Sequence, residues 1–157
     1  MIVIADTSPV NYLIVIGEID ILPKLFAQVI IPQAVFDELN HEQVPLKVRE
    51  FINRKLSWVR IEIVEKSAEN ALENLGRGER EAIILAEKLK PDFLVIDERA
   101  GYSEAIKRNL PAVGTLFILE LAAENNLLDL PEAIDKLRNT SFRVSPKILQ
   151  EILQRNL

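Results

Sequence analysis

Four carboxylates stand where an apolar run stops or a helix begins. Asp6 closes Ile2-Val3-Ile4-Ala5, and Asp97 closes Phe93-Leu94-Val95-Ile96. Glu38 lies on the helix that Pro32 starts, in Val35-Phe36-Asp37-Glu38-Leu39, and Glu81 opens Glu81-Ala82-Ile83-Ile84-Leu85-Ala86. Ligand sites in open α/β sheets lie beyond the carboxyl ends of the parallel strands, so Asp6 and Asp97 are expected to face one crevice. Carboxylates a few ångströms apart raise one another's pKa unless positive charge neutralises them. For an all-oxygen donor set the fitting neutraliser is Mg2+ or Mn2+. The chemistry to expect is metal-dependent phosphodiester hydrolysis by an activated water.

Each acid taken singly has a plainer account. Asp6 and Asp97 sit where a helix cap would sit, and most acids on a helix such as Glu38 are simply solvated. Glu79 and Glu81 fall in a helical first turn, where negative charge meets the helix dipole favourably. Gly76-Arg77-Gly78 before them resembles a phosphate cradle, but no Gly-Lys-Ser or Gly-Lys-Thr follows, so it fits no Walker pattern. The joint pattern of two strand-end acids and two helix acids along one chain is what these single accounts miss.

The elements that must position these residues alternate short β-type runs with longer helical ones, the mark of a parallel sheet flanked by helices. Strands are expected at Ile2–Ala5, Val29–Ile31, Phe93–Ile96 and Ala112-Val113, with Trp58–Ile63 alternating like a half-buried or edge strand. Thr7 or Ser8 caps a first helix whose first residue is Pro9. Further helices are expected around Ile19–Ala27, from Pro32 to about Asn40, and through Lys47–Arg54. A helical turn or two covers Ala68–Leu75 and is stopped by Gly76-Arg77-Gly78. Glu79–Lys90 has amphipathic spacing. Helices from about Arg99 to Asn109, over Leu116–Asn125, near Pro131–Asn139 and near Pro146–Arg155 complete the chain. The fold class is α/β, a three-layer α/β/α sandwich around a central, mainly parallel sheet, with residues 1–157 forming one domain.

Composition narrows the chemistry. The 157 residues are 48% hydrophobic and 27% charged, ordinary for a globular chain. No cysteine is present, which excludes disulfides, thiolate metal sites and cysteine nucleophiles. The single histidine, His41, lies in the polar run Asn40–Gln43 and is expected to be exposed, so zinc and a serine–histidine triad are disfavoured. No apolar run reaches the length of a membrane helix and the N-terminus lacks a basic region, so a cytoplasmic protein is expected. The net charge of −5 is not the basic footprint of a typical nucleic-acid binder. Basic residues at Arg49, Arg54-Lys55, Arg99 and Lys107-Arg108 could still form a stripe.

Taken in order, Ala5-Asp6-Thr7-Ser8-Pro9, Val35-Phe36-Asp37-Glu38-Leu39, Gly78-Glu79-Arg80-Glu81-Ala82-Ile83 and Leu94-Val95-Ile96-Asp97-Glu98-Arg99 resemble the motifs of PIN domains. Gly114-Thr115-Leu116 resembles a subgroup of that family, toxins of the VapC type. The resemblance covers nearly the whole chain. It implies that Asp6, Glu38, Glu81 and Asp97 form the metal site for Mg2+ or Mn2+, with Glu79 as rival to Glu81, and that Thr7, Ser8 or Thr115 line it as hydrogen-bonding support. It also implies an RNA substrate, a small antitoxin partner and a homodimer. The alternative is a PIN-like regulator that binds nucleic acid or protein with weak or absent catalysis. Two other acid-bearing α/β classes fail on named residues. A phosphotransfer receiver lacks its acidic pair and late lysine here, and a haloacid-dehalogenase phosphatase would need Asp where Ser8 stands.

Overall fold

The computed structural model describes residues 1–65 and 72–156. Its elements in chain order are β1 (Ile2–Ala5), α1 (Thr7–Val15), α2 (Ile21–Leu25), β2 (Gln28–Pro32), α3 (Gln33–Leu39), α4 (Leu46–Ile52), β3 (Val59–Glu62) and α5 (Arg77–Leu89). They continue with β4 (Phe93–Val95), α6 (Arg99–Lys107), β5 (Ala112–Val113), α7 (Thr115–Glu124), α8 (Leu130–Arg138) and α9 (Pro146–Arg155). The first half of the helical turn expected over Ala68–Leu75, residues 68–71, lies outside the described residues.

Strand periodicity builds the core. Successive side chains of a strand point to opposite faces, and here both faces are covered, as parallel sheets require. Val3, Ala5, Val29, Ile31 and Val95 join one apolar cluster with residues of α1, α2, α4, α7, α8 and α9. Ile4, Ile30, Leu94 and Ile96 point the other way, against Ala82, Ile83, Leu85 and Ala86 of α5 and Ala105 of α6. The result is the expected three-layer α/β/α arrangement.

All paired strands are parallel, in the order β3-β2-β1-β4-β5. The chain runs outward from β1 through β2 to β3, then returns to place β4 on the other side of β1. The gap between β1 and β4 is therefore a topological switch point, where the helices following the two strands diverge and leave a crevice. Register sets the depth of the acids in it. Ala5 pairs with Val95, and the Asp6 amide donates to the Val95 carbonyl at 3.0 Å. Asp6 and Asp97 thus leave adjacent strands at nearly the same level.

Two helix starts differ from the sequence expectation for identifiable reasons. The first helix begins at Thr7, with Asp6 in the capping position, because the Thr7 hydroxyl is used by Glu38 rather than by its own helix. Helix α5 starts at Arg77, inside the expected break, because the Gly78 amide donates to Glu38 from another helix. The alternating run Trp58–Ile63 is the edge strand β3, with Ile61 and Ile63 exposed. The central layer depends on tight packing of residues such as Ile4, which is wholly buried. Ile4→Ala should cost about 2–5 kcal/mol, read as a lowered urea midpoint with unchanged slope.

Candidate functional site

Asp6 is the deepest acid. It is 2% exposed, and its Oδ1 is buried without a hydrogen-bond partner. Burial is the main cause that pushes its pKa from 3.8 up to about 7; the Thr7 amide offsets part of this, while Glu79, Glu38 and Asp97 push it further up. Those three causes also identify its neighbours: the acids of α3, α5 and the β4 end reach the same crevice.

Glu38 reaches it by a cross-element anchor. Its Oε1 accepts the Gly78 amide of α5 at 2.9 Å, and its Oε2 accepts the Thr7 hydroxyl. Asp37, its neighbour in sequence, turns outward to pair with Arg77 at 3.2 Å. Gly78 must be glycine for this contact, since a Cβ there would lie 2.6 Å from Glu38 Oε2.

The two glutamates at the start of α5 separate. Glu79 faces the crevice: its Oε2 is buried and unpartnered. Its pKa is raised by burial first, then by Glu98; the Gly76 amide opposes this, Glu38 raises it further, and the Gly101 amide opposes it. Glu81 turns the other way. Its Oε1 accepts the Ala34 amide at the start of α3 at 3.0 Å, and its Oε2 meets Arg77 Nε at 3.3 Å. Glu38 of α3 therefore holds the first turn of α5, and Glu81 of α5 holds the first turn of α3. This reciprocal clasp uses both helix N-termini, where backbone amides are unpaired and the dipole favours anions.

Asp97 is anchored in the same manner. Its Oδ1 accepts the Thr115 amide at 2.8 Å and its Oδ2 the Thr115 hydroxyl at 2.6 Å, at the N-terminus of α7. Burial raises its pKa, both Thr115 bonds oppose that, and Glu98 adds to it. Thr7 and Thr115 are thus in contact with acids of the crevice, whereas Ser8 makes no side-chain hydrogen bond among the described residues. His41 is exposed past the end of α3, away from this chemistry. Glu98, an exposed acid whose charge raises the pKa of both Asp97 and Glu79, was not singled out by the sequence.

The structure accordingly gathers Asp6, Glu38, Glu79 and Asp97 and places Glu81 in the clasp. The donor set is all oxygen, which fits a hard divalent cation and no soft one. The two unpartnered buried oxygens, Asp6 Oδ1 and Glu79 Oε2, fit it too, because buried polar atoms ordinarily have partners. The acids surround the crevice rather than closing on one point: among the described residues, no three acidic or histidine side chains meet metal-site geometry.

An acid-lined crevice at the switch point of a parallel sheet is where an α/β domain places its ligand chemistry. The family description that matches this chain is "PIN domain", over residues 2–156. The chain belongs to the PIN-domain family, a nuclease-type fold whose members are generally hydrolases and typically depend on divalent metal. Neither a curated protein nor a solved structure matched the chain. No helix among the described residues is long and apolar enough to cross a membrane.

Two outcomes follow from the site's packing and charge. A folded-state pKa above the unfolded one means that the folded protein holds its proton longer, so Asp6 destabilises the ion-free protein increasingly from pH 4 to about 7. In EDTA, unfolding free energy should fall over that window by a few kcal/mol, on the order of one per pH unit. Asp6→Asn should flatten much of the slope, and added Mg2+ should restore stability above pH 7. Gly101→Ala gains up to about 1 kcal/mol of helix propensity. Its Cβ, however, would collide with Glu79 Oε2 and lie 2.7 Å from Ile96 Cδ1. Overpacking of about 1–3 kcal/mol should win, visible as a lower Tm that Ile96→Val partly recovers.

Proposed function

We propose that this chain is a divalent-metal-dependent ribonuclease, the toxin of a VapBC-type pair, with Asp6, Glu38, Glu79 and Asp97 as the residues that would hold the ion. The observation that carries this reading is the pair of buried, unpartnered carboxylate oxygens, Asp6 Oδ1 and Glu79 Oε2, facing one crevice at the carboxyl ends of β1 and β4. When bound, Mg2+ or Mn2+ supplies Lewis acidity toward a phosphodiester and lowers the pKa of water.

The chain's own residues do the rest. Thr115 fixes Asp97 through two hydrogen bonds, and Thr7 and the Gly78 amide fix Glu38 through one oxygen each, so neither carboxylate must reorganise when a substrate arrives. The pKa of Asp6, near 7, belongs to the ion-free crevice, and a cation held at Oδ1 would bring it down and keep the carboxylate charged. No side-chain nucleophile is required. Glu81 acts at one remove, keeping α3 and α5 in contact so that Glu38 stays aimed.

Partner binding draws support from the far end of the chain. A groove of about 360 Å3 between α8 and α9 has an apolar floor that includes Phe142, Leu149 and Leu153, with Arg138 and Arg143 in its lining. In a chain of net charge −5, a groove lined by two arginines suits an acidic, apolar segment of an antitoxin. A homodimer is part of the same reading.

Cleavage of a mixed RNA pool tests it. Wild-type protein should cut with Mg2+ or Mn2+ and not with EDTA. Asp6→Asn and Glu79→Gln should each lose at least about 100-fold, more than outer-shell changes usually cost. Glu81→Gln should lose less than about tenfold, because its amide oxygen still accepts from Ala34. Loss in Glu81→Gln equal to that in Glu79→Gln would overturn the assignment of Glu79. No cleavage by wild type with any divalent ion would overturn the nuclease and favour a binding module.

A further inference from the structure

Helix α6 carries two features that the acid site does not use. Its inward face places Gly101 against the Glu79 carboxylate and Ile96. Its outward face exposes Arg99 and, one turn later, Tyr102. Residues three apart on a helix are neighbours. The contact between Gly101 and Glu79, with 3.8 Å between consecutive Cα atoms, puts the Tyr102 Cα within about 8 Å of the Glu79 carboxylate.

Both side chains are left without a partner among the described residues. Arg99 occupies the first position of α6, where a cation opposes the helix dipole. It forms no ion pair with any described residue, although Asp97 and Glu98 immediately precede it. Tyr102 is 39% exposed, matched among the described aromatic residues only by Phe117. The Phe117 ring is packed on Phe93 at 5.1 Å, whereas the Tyr102 side chain touches no ring and its hydroxyl makes no hydrogen bond among the described residues. An unpaired cation and an unstacked aromatic ring, one turn apart beside an acid crevice, are the two groups that a nucleotide needs: one for a phosphate, one for a base face.

We infer that Arg99 and Tyr102 form a single-strand nucleic-acid subsite, in which Tyr102 stacks on a base next to the cleaved linkage and Arg99 meets a neighbouring phosphate. The inference rests on the nuclease reading of the acid site and adds substrate form to it. A base that stacks on Tyr102 must be out of a duplex, so the subsite selects unpaired strands. It also supplies local positive charge that the chain's acidic balance otherwise lacks.

Binding without turnover tests the subsite apart from cleavage. A short fluorescein-labelled RNA strand and its duplex would be titrated by fluorescence anisotropy, with Mg2+, against Asp6→Asn protein carrying Tyr102→Ala, Tyr102→Phe or Arg99→Ala. Circular dichroism would confirm that each variant is folded. Tyr102→Ala should weaken single-strand binding about tenfold, Tyr102→Phe by less than about twofold, and neither should alter duplex binding. Arg99→Ala should reduce the slope of log affinity against log salt by about 0.7. Equal strand binding by Tyr102→Ala and its Asp6→Asn parent would overturn the subsite. So would a dimer in light scattering that Tyr102→Ala and Ile106→Ser both dissolve, since the face would then belong to a second copy of this chain. The two readings fail separately. Tyr102-dependent binding with no wild-type cleavage sinks the nuclease and leaves the subsite, while unchanged binding beside wild-type cleavage sinks the subsite alone.

Discussion

Like charges crowded at one point are the constraint from which the rest of this fold follows. Asp6, Glu38, Glu79 and Asp97 approach one crevice, and burial alone already penalises the charged form of Asp6 and Asp97. Among the described residues, no lysine or arginine forms an ion pair with any of the four. Balance comes instead from the backbone: Glu38 accepts from the start of α5, Asp97 from the start of α7, and Glu79 lies against the first turn of α6. Helix N-termini carry partial positive charge without mobile side chains. They temper the repulsion while leaving carboxylate oxygens open toward the crevice, which a salt bridge would have consumed.

The sheet order makes this possible. Because β1 and β4 are neighbours but lead into helices on opposite faces, their ends are not roofed by a single helix. Several helix starts therefore converge on a small volume. The clasp between α3 and α5 then ties the β2 side of the sheet to the helix that precedes β4. Glu81, Arg77 and Asp37 form its outer half, and Glu38 and Gly78 its inner half. Exposed ion pairs such as Arg77–Asp37 contribute little by themselves. The part-buried amide–carboxylate bonds hold the geometry.

Sequence reasoning reached the parts of the site that local rules govern. Asp6 and Asp97 follow apolar strands, and the rule that crevices lie at carboxyl strand ends places them without any knowledge of contacts. The layers were legible for the same reason, since β1, β2 and β4 read as buried runs. Glu79 and Glu81 were not separable. They lie two positions apart in one helical turn, and what divides them is the Ala34 amide, 47 residues away in sequence. The start of α5 was hidden likewise: Gly76-Arg77-Gly78 reads locally as a break, and only Glu38 arriving from α3 makes it a helix start. Long-range partners decided each case that periodicity left open.

The fit between Gly78 and Glu38 also bears on how such chains diverge. A methyl group at position 78 and the Glu38 carboxylate in its present place cannot occupy the same space. The two positions, forty residues apart, are therefore expected to change together. A lineage that abandons the acid releases its glycine, and one that shortens it to aspartate opens room there. A lost glycine at position 78 would record a lost carboxylate even where the acid itself had been replaced by something deceptively similar.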